Sequence, residues 1–307
     1  MRNVISVTSI FLSALLLISS CKRKETAQVD NAAIVRKAVA SQLKKKPKNV
    51  NEGDYAKVTY LDLSRSQLSD LAALKELKNI IHLDLTQTKV SDLTPLKELI
   101  NLRMLHLGGT QISDIEPLKG LTNLEGLTLD RTQVSNFETL KGLSNLYWLN
   151  LRGTQISDIE PLKGLTNLQS LELEDTQVSN IEPLKELSNL QILGLSSTPV
   201  SDLEPLKGLS NLQSLDLEDT QVSNIEPLKG LSNLRELYLF HTKVSNLEPL
   251  KGLSKLANLR FSETLVTNLE PLKGLSNLRE LYLIGTKVSD EQVAELKKAL
   301  PTLEISR

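Results

Sequence analysis

Residues 143–164 read LSNLYWLNLRGTQISDIEPLKG, and the 22 residues after them, 165–186, read LTNLQSLELEDTQVSNIEPLKE. Position by position the two are one pattern with a few side chains exchanged. Self-similarity at a fixed spacing decides an architecture before any local propensity does. Outward from this pair, copies begin at Tyr55, Leu77, Leu99, Leu121, Leu143, Leu165, Leu187, Leu209, Leu231, Leu253 and Leu275, with no insertion or deletion between them. Eleven units therefore cover residues 55–296.

The physics of one unit follows from its pattern, L-x-x-L-x-x-L-x-L-x-x-T-x-V-S-[DN]-[LI]-E-P-L-K-G. Alternation of leucine with other residues at positions seven to nine predicts a short half-buried strand, because side chains along a strand alternate between faces. The segment SDIEPLKG then turns the chain back. Asp or Asn caps a short helical turn, Pro sits where no backbone N–H is needed, Lys lies near the C-terminal end, and Gly ends the turn. Glu and Lys three residues apart make a solvated pair. No unit can bury its own leucines, so stacking is required to make one continuous core.

This pattern resembles the leucine-rich repeat, in the 22-residue form found in bacterial internalins and in a eukaryotic regulatory subunit of protein phosphatase. The resemblance covers about four-fifths of the chain. It implies an α/β leucine-rich repeat solenoid with a curved parallel β-sheet on the concave face and short helical or 3-10 turns on the convex face. Leucine fills position seven in every copy, from Leu61 to Leu281. One departure is systematic. Where the family carries asparagine, this chain has threonine from Thr88 to Thr286, and Ser66 in the first copy. These hydroxyls are expected to form a ladder that hydrogen-bonds the turn backbone in the role of the asparagine.

A stack has two open ends, and exposed leucine edges invite aggregation, so caps are expected at both. NAAIVRKAVASQLKKK reads as an amphipathic helix that starts near Asp30 or Asn31 and is stopped by Pro47. VNEGDY then offers Asn51 as an N-cap, Asp54 three residues on, and Val50 placed to staple Tyr55, giving a cap over residues 31–54. At the other end, residues 289–307 replace the short turn with a helix ended by Pro301, followed by a last strand carrying Leu303 and Ile305.

Residues 1–20 are of different material. One basic residue, Arg2, precedes an apolar run from Val4 to Ile18, and small residues precede Cys21, which predicts a secretory signal. ISSC resembles the bacterial lipobox, which implies that Cys21, the only cysteine in the chain, is acylated and becomes the mature N-terminus. Diacylglycerol plus an amide-linked chain would exceed the two signals that stable membrane anchoring requires. Residues 21–30 form a polar tether whose Lys22, Arg23 and Lys24 would lie near anionic headgroups. Lys22 stands at the position after the cysteine where, in enteric lipoproteins, an aspartate signals retention in the inner membrane. The expected location is thus the bacterial cell envelope, at the outer membrane or cell surface.

The formal charge of the chain is -1, and removing residues 1–20 removes Arg2 and no acid, giving -2. No basic face of the kind nucleic-acid binding needs is present. No nucleophile motif, Gly-rich phosphate loop or clustered metal ligands are recognisable, so neither catalysis, metal nor cofactor is expected. Asp84 and His106 share position eight on adjacent strands and are close enough to touch, but lack a nucleophile.

Function is then sought where the copies differ, at the outward positions six, eight and ten and at positions five, eleven and thirteen beside them. Eleven strands at about 4.8 Å each give a face on the order of 50 Å long, enough for a protein. The rings gather there: Tyr60, Tyr147, Trp148, Tyr238, Phe240 and Tyr282 lie at positions five to ten, while Tyr55, Phe137 and Phe261 occupy cap or core positions. His82, His106 and His241 fall on the same face or its edge. Repeats six and eight bring Glu172, Glu174, Asp175, Asp216, Glu218 and Asp219 there, around Gly194, Ser196 and Ser197 in the repeat between. Together with Arg152 and Arg260 these residues are the candidate ligand contacts. Exposed rings on a rigid sheet suit a hot spot, and acids suit a basic patch on a partner.

The reading is a monomeric, lipid-anchored binding protein that takes a macromolecular ligand, a protein, on its concave face. The internalin resemblance implies adhesion at the cell surface, including to a host surface or matrix protein; the phosphatase regulators work inside cells, and the export signal argues against them. Two other classes remain open. A carbohydrate-binding module would use Tyr147 and Trp148 as a stacking platform and be insensitive to salt. A self-assembling envelope scaffold would show concentration-dependent size without a partner.

Overall fold

The computed structural model describes residues 29–307. The predicted signal segment, Cys21 and most of the tether lie outside the described residues. Every element below belongs to the compact unit Asn31–Arg307.

Twelve three-residue strands form one sheet in chain order: β1 Tyr60–Asp62, β2 His82–Asp84, β3 Met104–His106, β4 Gly126–Thr128, β5 Trp148–Asn150, β6 Ser170–Glu172, β7 Ile192–Gly194, β8 Ser214–Asp216, β9 Glu236–Tyr238, β10 Asn258–Arg260, β11 Glu280–Tyr282 and β12 Glu304–Ser306. Every pairing is parallel, and from β1 to β11 each strand sits on the residues 22 further along, as Leu149 does on Leu171. Period and register are therefore the same quantity: an insertion would break both. The strands occupy positions six to eight, one residue earlier than the alternation predicted. The backbone ladder continues beyond them, with Leu151 N–H donating to Glu172 and Gly153 N–H to Glu174. Leucine nine thus still faces inward, although it lies past the strand.

The core is a set of columns running through the repeats, with those at positions seventeen and twenty ending at repeat ten, where Glu291 and Ala294 of the C-terminal helix take over. Positions one, four, seven, nine, fourteen, seventeen and twenty are apolar and buried, as in Leu165, Leu168, Leu171, Leu173, Val178, Ile181 and Leu184. Each such leucine contributes about 1.5–3 kcal/mol by leaving water. Phe137 and Phe261 stand in these columns as expected. Behind the sheet a 3-10 turn at each Glu-Pro-Leu returns the chain, with Pro among its first residues. Its cap is not the predicted N-cap. Asp114, Asn180 and their equivalents lie one residue before the N-cap and accept the N–H two residues on, at 2.7–3.0 Å. This is an Asx turn, which satisfies a donor at the tight end of a 3-10 turn. Gly208, Gly230 and Gly252 leave their turns with φ of 94°, 87° and 90°. The Glu–Lys pairs form on this outer surface, for example Lys119–Glu116 at 3.2 Å.

The threonine hydroxyls bond turn backbone, but within their own repeat. Each donates to the carbonyl three residues back at 2.5–2.8 Å, and Ser66 does the same. The side-chain ladder that joins one repeat to the next is built by asparagine at position three. Asn79, Asn101, Asn123, Asn145, Asn167, Asn189, Asn211, Asn233 and Asn277 each donate to the carbonyl 23 residues earlier, at 2.7–2.9 Å. The family's asparagine role is thus divided between two positions. A second regularity is equally strict. Position eleven has positive φ in all repeats, from 52° at His241 to 74° at Gly285, although only Gly109, Gly153 and Gly285 are glycine.

Both caps are present. Helix α1, Asn31–Gln42, buries Val35, Val39 and Ala40 over the first repeat. It ends earlier than Pro47 predicts, because Lys44 turns left-handed at φ 54° and Lys45 N–H reaches back to Ala40 at 2.8 Å. That pair closes a Schellman motif, so the proline is not the terminator. Helix α2, Glu52–Tyr55, starts at Asn51, whose N–H donates to Asp54 at 3.1 Å. Asp54 is fully buried and receives Lys45 at 2.7 Å and Lys57 at 3.1 Å. The Lys45 ammonium, the Asn51 N–H and Lys57 hold its carboxyl well below the usual carboxylate range despite burial. At the far end α3, Asp290–Ala299, begins with the Ser289 hydroxyl accepting from Gln292, and β12 pairs Ile305 with Leu281. No helix among the described residues is long and apolar enough to cross a membrane.

Candidate functional site

Strand parity turns positions six, eight and ten away from the core, so their side chains share one face of the sheet. Three groups follow one another along it. The first spans β3 to β5. Gly126 on β4 leaves no side chain, and a Cβ there would collide with Met104, which lies over it beside Trp148. The Trp148 ring stands 5.5 Å from His106, tilted by 57°, and Tyr147 O–H approaches Met104 Sδ at 3.8 Å. Tyr147 is 39% exposed. Neighbouring rings therefore cover one another in part, and the outer edge of the patch remains open. His106 turns toward Trp148, while Asp84 accepts the Thr86 N–H at 2.8 Å; the two do not form the pair their register suggested.

The second group spans β6 to β8, and the six acids expected there do not act as one patch. Glu172 is held by Asn150 Nδ2 at 2.6 Å and Trp148 Nε1 at 3.4 Å. Asp175 is neutralised by Arg152 at 3.1 Å, and Asp219 contacts His241 Nδ1 at 2.6 Å. Glu174, Asp216 and Glu218 remain, half-buried and without a cation in contact among the described residues. Glu174 folds over Gly194, where a Cβ would collide with its carboxylate, and its Oε2 has no hydrogen-bond partner. Asp216 accepts the Glu218 N–H at 3.0 Å and a bond from Ser196, so part of its role is to shape the turn. Burial is the first cause that pushes the carboxyls of all three up; Glu172 and Asp216 add to it at Glu174, and Asp216 and Asp219 at Glu218, while Arg152 and Arg260 act against it without touching them. Apart from the turn that Asp216 shapes, the fold gains nothing from this arrangement.

The third group spans β9 to β11. Arg260 lies between Tyr238 and Tyr282, 4.9 Å from each ring centroid, a doubled cation–π contact. Burial, and then Glu236, push the Tyr238 hydroxyl up. Phe240 lies beside His241 and, with Glu218, Arg260, Ser262, Glu263, Tyr282 and Ile284, lines a cleft of about 310 Å³. Every candidate named from the sequence is therefore on this face or its rim. What the sequence reading missed are Met104 and Ile192, apolar side chains at position six, and Gly126, which admits Met104; Gly194 was named there only as a small residue, and it admits the Glu174 carboxylate. The signal was available: position six is outward, so an Ile there, 48% exposed, has no core to fill.

The family model for leucine-rich repeats, in its two-copy form, matches residues 100–142, 144–186, 188–230 and 210–252. An internalin (inlF) of Listeria monocytogenes superposes with a TM-score of 0.81 at 25% identity, over 89% of this chain and 87% of that one. The chain carries leucine-rich repeats on a solenoid of internalin-like fold. Internalin C2 of the same organism resembles this solenoid at 28% identity and a TM-score of 0.52, covering 81% of this chain and 92% of that one. A leucine-rich repeat protein of Leptospira interrogans shares the fold at 22% identity and a TM-score of 0.72, over 83% and 74%. No curated protein matches the chain in sequence. Within this internalin-type solenoid the repeat-to-repeat scaffold is uniform, and the three sheet-face groups are where it varies.

Proposed function

We propose that this internalin-type protein is an exported binding protein of the bacterial cell envelope, anchored by lipid on Cys21, which recognises a protein ligand through its sheet face in an adhesive role. The observation that carries the reading is the trio Glu174, Asp216 and Glu218. Half-buried carboxylates with no cation in contact are unfavourable in the free protein, since burial raises the cost of their charge by more than the fields of Arg152 and Arg260 offset it. A basic group on a partner removes that cost. Rings flank the trio on both sides, Trp148 and Tyr147 toward β5 and Tyr238 and Phe240 toward β9, as anchors around a polar centre. The same trio favours a basic protein over a neutral glycan.

The test is capture from envelope and matrix extracts by the full chain. It is compared with a variant carrying Tyr147→Ala, Trp148→Ala, Tyr238→Ala and Phe240→Ala, after circular dichroism shows both folded. A protein retained by the parent, lost by the variant and released by moderate salt supports the reading. Capture of the same proteins by both overturns it.

A further inference from the structure

A second surface of the solenoid carries charge that neither the fold nor the sheet face uses. Positions three and five of each repeat line a lateral edge of the sheet, where the chain enters the strand. Along most of this edge the side chains pair with one another. Arg103 meets Glu125 at 2.6 Å, and Gln213 donates to Gln191 at 3.0 Å. At repeats nine to eleven the pattern changes. Arg235, Lys255 and Arg279, with Ala257 and Asn277, line a cleft of about 430 Å³, and no acid is among its walls.

Each cation there is only partly engaged. The Arg235 side chain makes no hydrogen bond or ion pair among the described residues. Arg279 Nη1 donates to the carbonyls of Ser276 at 2.9 Å and Leu278 at 3.3 Å, which fixes the guanidinium and leaves its other N–H groups to solvent. Lys255 Nζ donates to Asn233 Oδ1 at 2.6 Å and is otherwise exposed. The acids that precede and follow in the chain point elsewhere: Glu236 accepts from Ser214 at 3.0 Å and Glu280 from Tyr282 at 3.4 Å, both on the sheet face.

Lys255 is also the one break in the asparagine ladder. Every repeat from the second to the eleventh has asparagine at position three except this one. Lysine exchanges the ladder's bond to a backbone carbonyl for an exposed one to the Asn233 side chain and adds a like charge between two arginines, which the scaffold does not need. Arg235 and Arg279 stand two strand spacings apart, about 10 Å, and Ala257 between them leaves the floor open. Two long cationic arms over a small residue, with an ammonium at the side, match the size and charge of one tetrahedral oxyanion.

We propose that Arg235, Lys255 and Arg279 form an oxyanion site on the lateral edge of repeats nine to eleven, which binds the phosphate or sulfate group of a ligand. The site is separate from the sheet face, so it stands or falls independently of the protein-binding role.

The test is calorimetric titration of the full chain, at low salt in a phosphate-free buffer, with inorganic pyrophosphate and with inorganic sulfate. One saturable site is expected. Lys255→Asn, which removes the cation and completes the ladder, should weaken it about tenfold or more without lowering the melting temperature. Arg279→Gln provides the second variant. Retention on phosphatidylglycerol vesicles that falls with Lys255→Asn would assign the group to a lipid head, and pyrophosphate binding without such a difference would assign it to a soluble ligand. No saturable heat with either anion, or unchanged affinity in both variants, overturns the proposal.

Discussion

Replacing Glu174 by Gln should make the protein more stable at neutral pH, which is the opposite of what removing a charged surface residue usually does. Glu174 Oε2 is buried without a hydrogen-bond partner, and its carboxyl is pushed up first by burial and further by Glu172. Glu174→Gln keeps the shape and leaves a polar atom in the same place, but removes the charge that burial and Glu172 disfavour against the opposing field of Arg152; it should gain on the order of 1 kcal/mol, or roughly 2–4 °C in melting temperature for a protein of this size. The sign of the pH dependence is fixed. The folded carboxyl holds its proton more tightly than the unfolded one, so the penalty is present when both are ionised. It disappears as pH falls below the unfolded value of about 4.3. Melting curves of parent and variant from pH 7.5 to pH 4 read the difference directly. A variant less stable than the parent at pH 7.5, or a difference that does not shrink toward pH 4, would refute the claim that this acid is uncompensated.

Three further outcomes follow from the scaffold. Asn167→Ala removes the bond to the Ser144 carbonyl at 2.9 Å and should destabilise by about 1 kcal/mol, read by urea denaturation, whereas Gln169→Ala beside it should change little. Gly153→Val forces a β-branched residue into φ 65° with Arg131 Cγ against its Cβ, so a loss of about 1–3 kcal/mol is expected; equal stability would mean the turn can relax. Asp54→Asn should loosen the N-terminal cap, seen as faster hydrogen exchange in α1. Because the Asp54 carboxyl is held low, its contribution is complete above an unfolded pKa of about 3.9 and fades as pH falls below it. The effect of the substitution should therefore shrink in acid, and an effect that grows there would contradict the buried ion pairs.

The fold could be read from the sequence because every repeat states it again. Leu149 alone is compatible with helix or strand, but Leu149 within eleven aligned copies has only one column to occupy. The caps were legible for a different reason, since Asn51 with Asp54 three residues on, and Pro301 at the other end, are local signals that need no partner. What escaped were the bonds between repeats. Asn145 and Asn167 recur almost as faithfully as the threonines, yet which residue donates to the preceding repeat and which into its own turn depends on the rise between coils, a quantity absent from the letters. Position eleven shows the same limit: Asp175 and Glu263 look free in sequence, but their backbone is left-handed. For the candidate site, parity gave the face and the membership. It could not tell that Arg152 takes Asp175 and His241 takes Asp219, because those pairs form between neighbouring repeats. The division into neutralised and uncompensated acids is therefore a structural finding.

The central claim is that the ligand sits on the sheet face, and site-specific photo-crosslinking tests it most directly. A photoreactive residue is placed at Ser170, which lies between Trp148 and Ile192 on the sheet, and in a second protein at Lys185 on the opposite, solvated turn. Both are exposed to the ligand captured by the parent chain. The account predicts covalent capture from position 170 and none from position 185. Crosslinking from 185 with none from 170 would contradict it and move the binding surface to the outer turns.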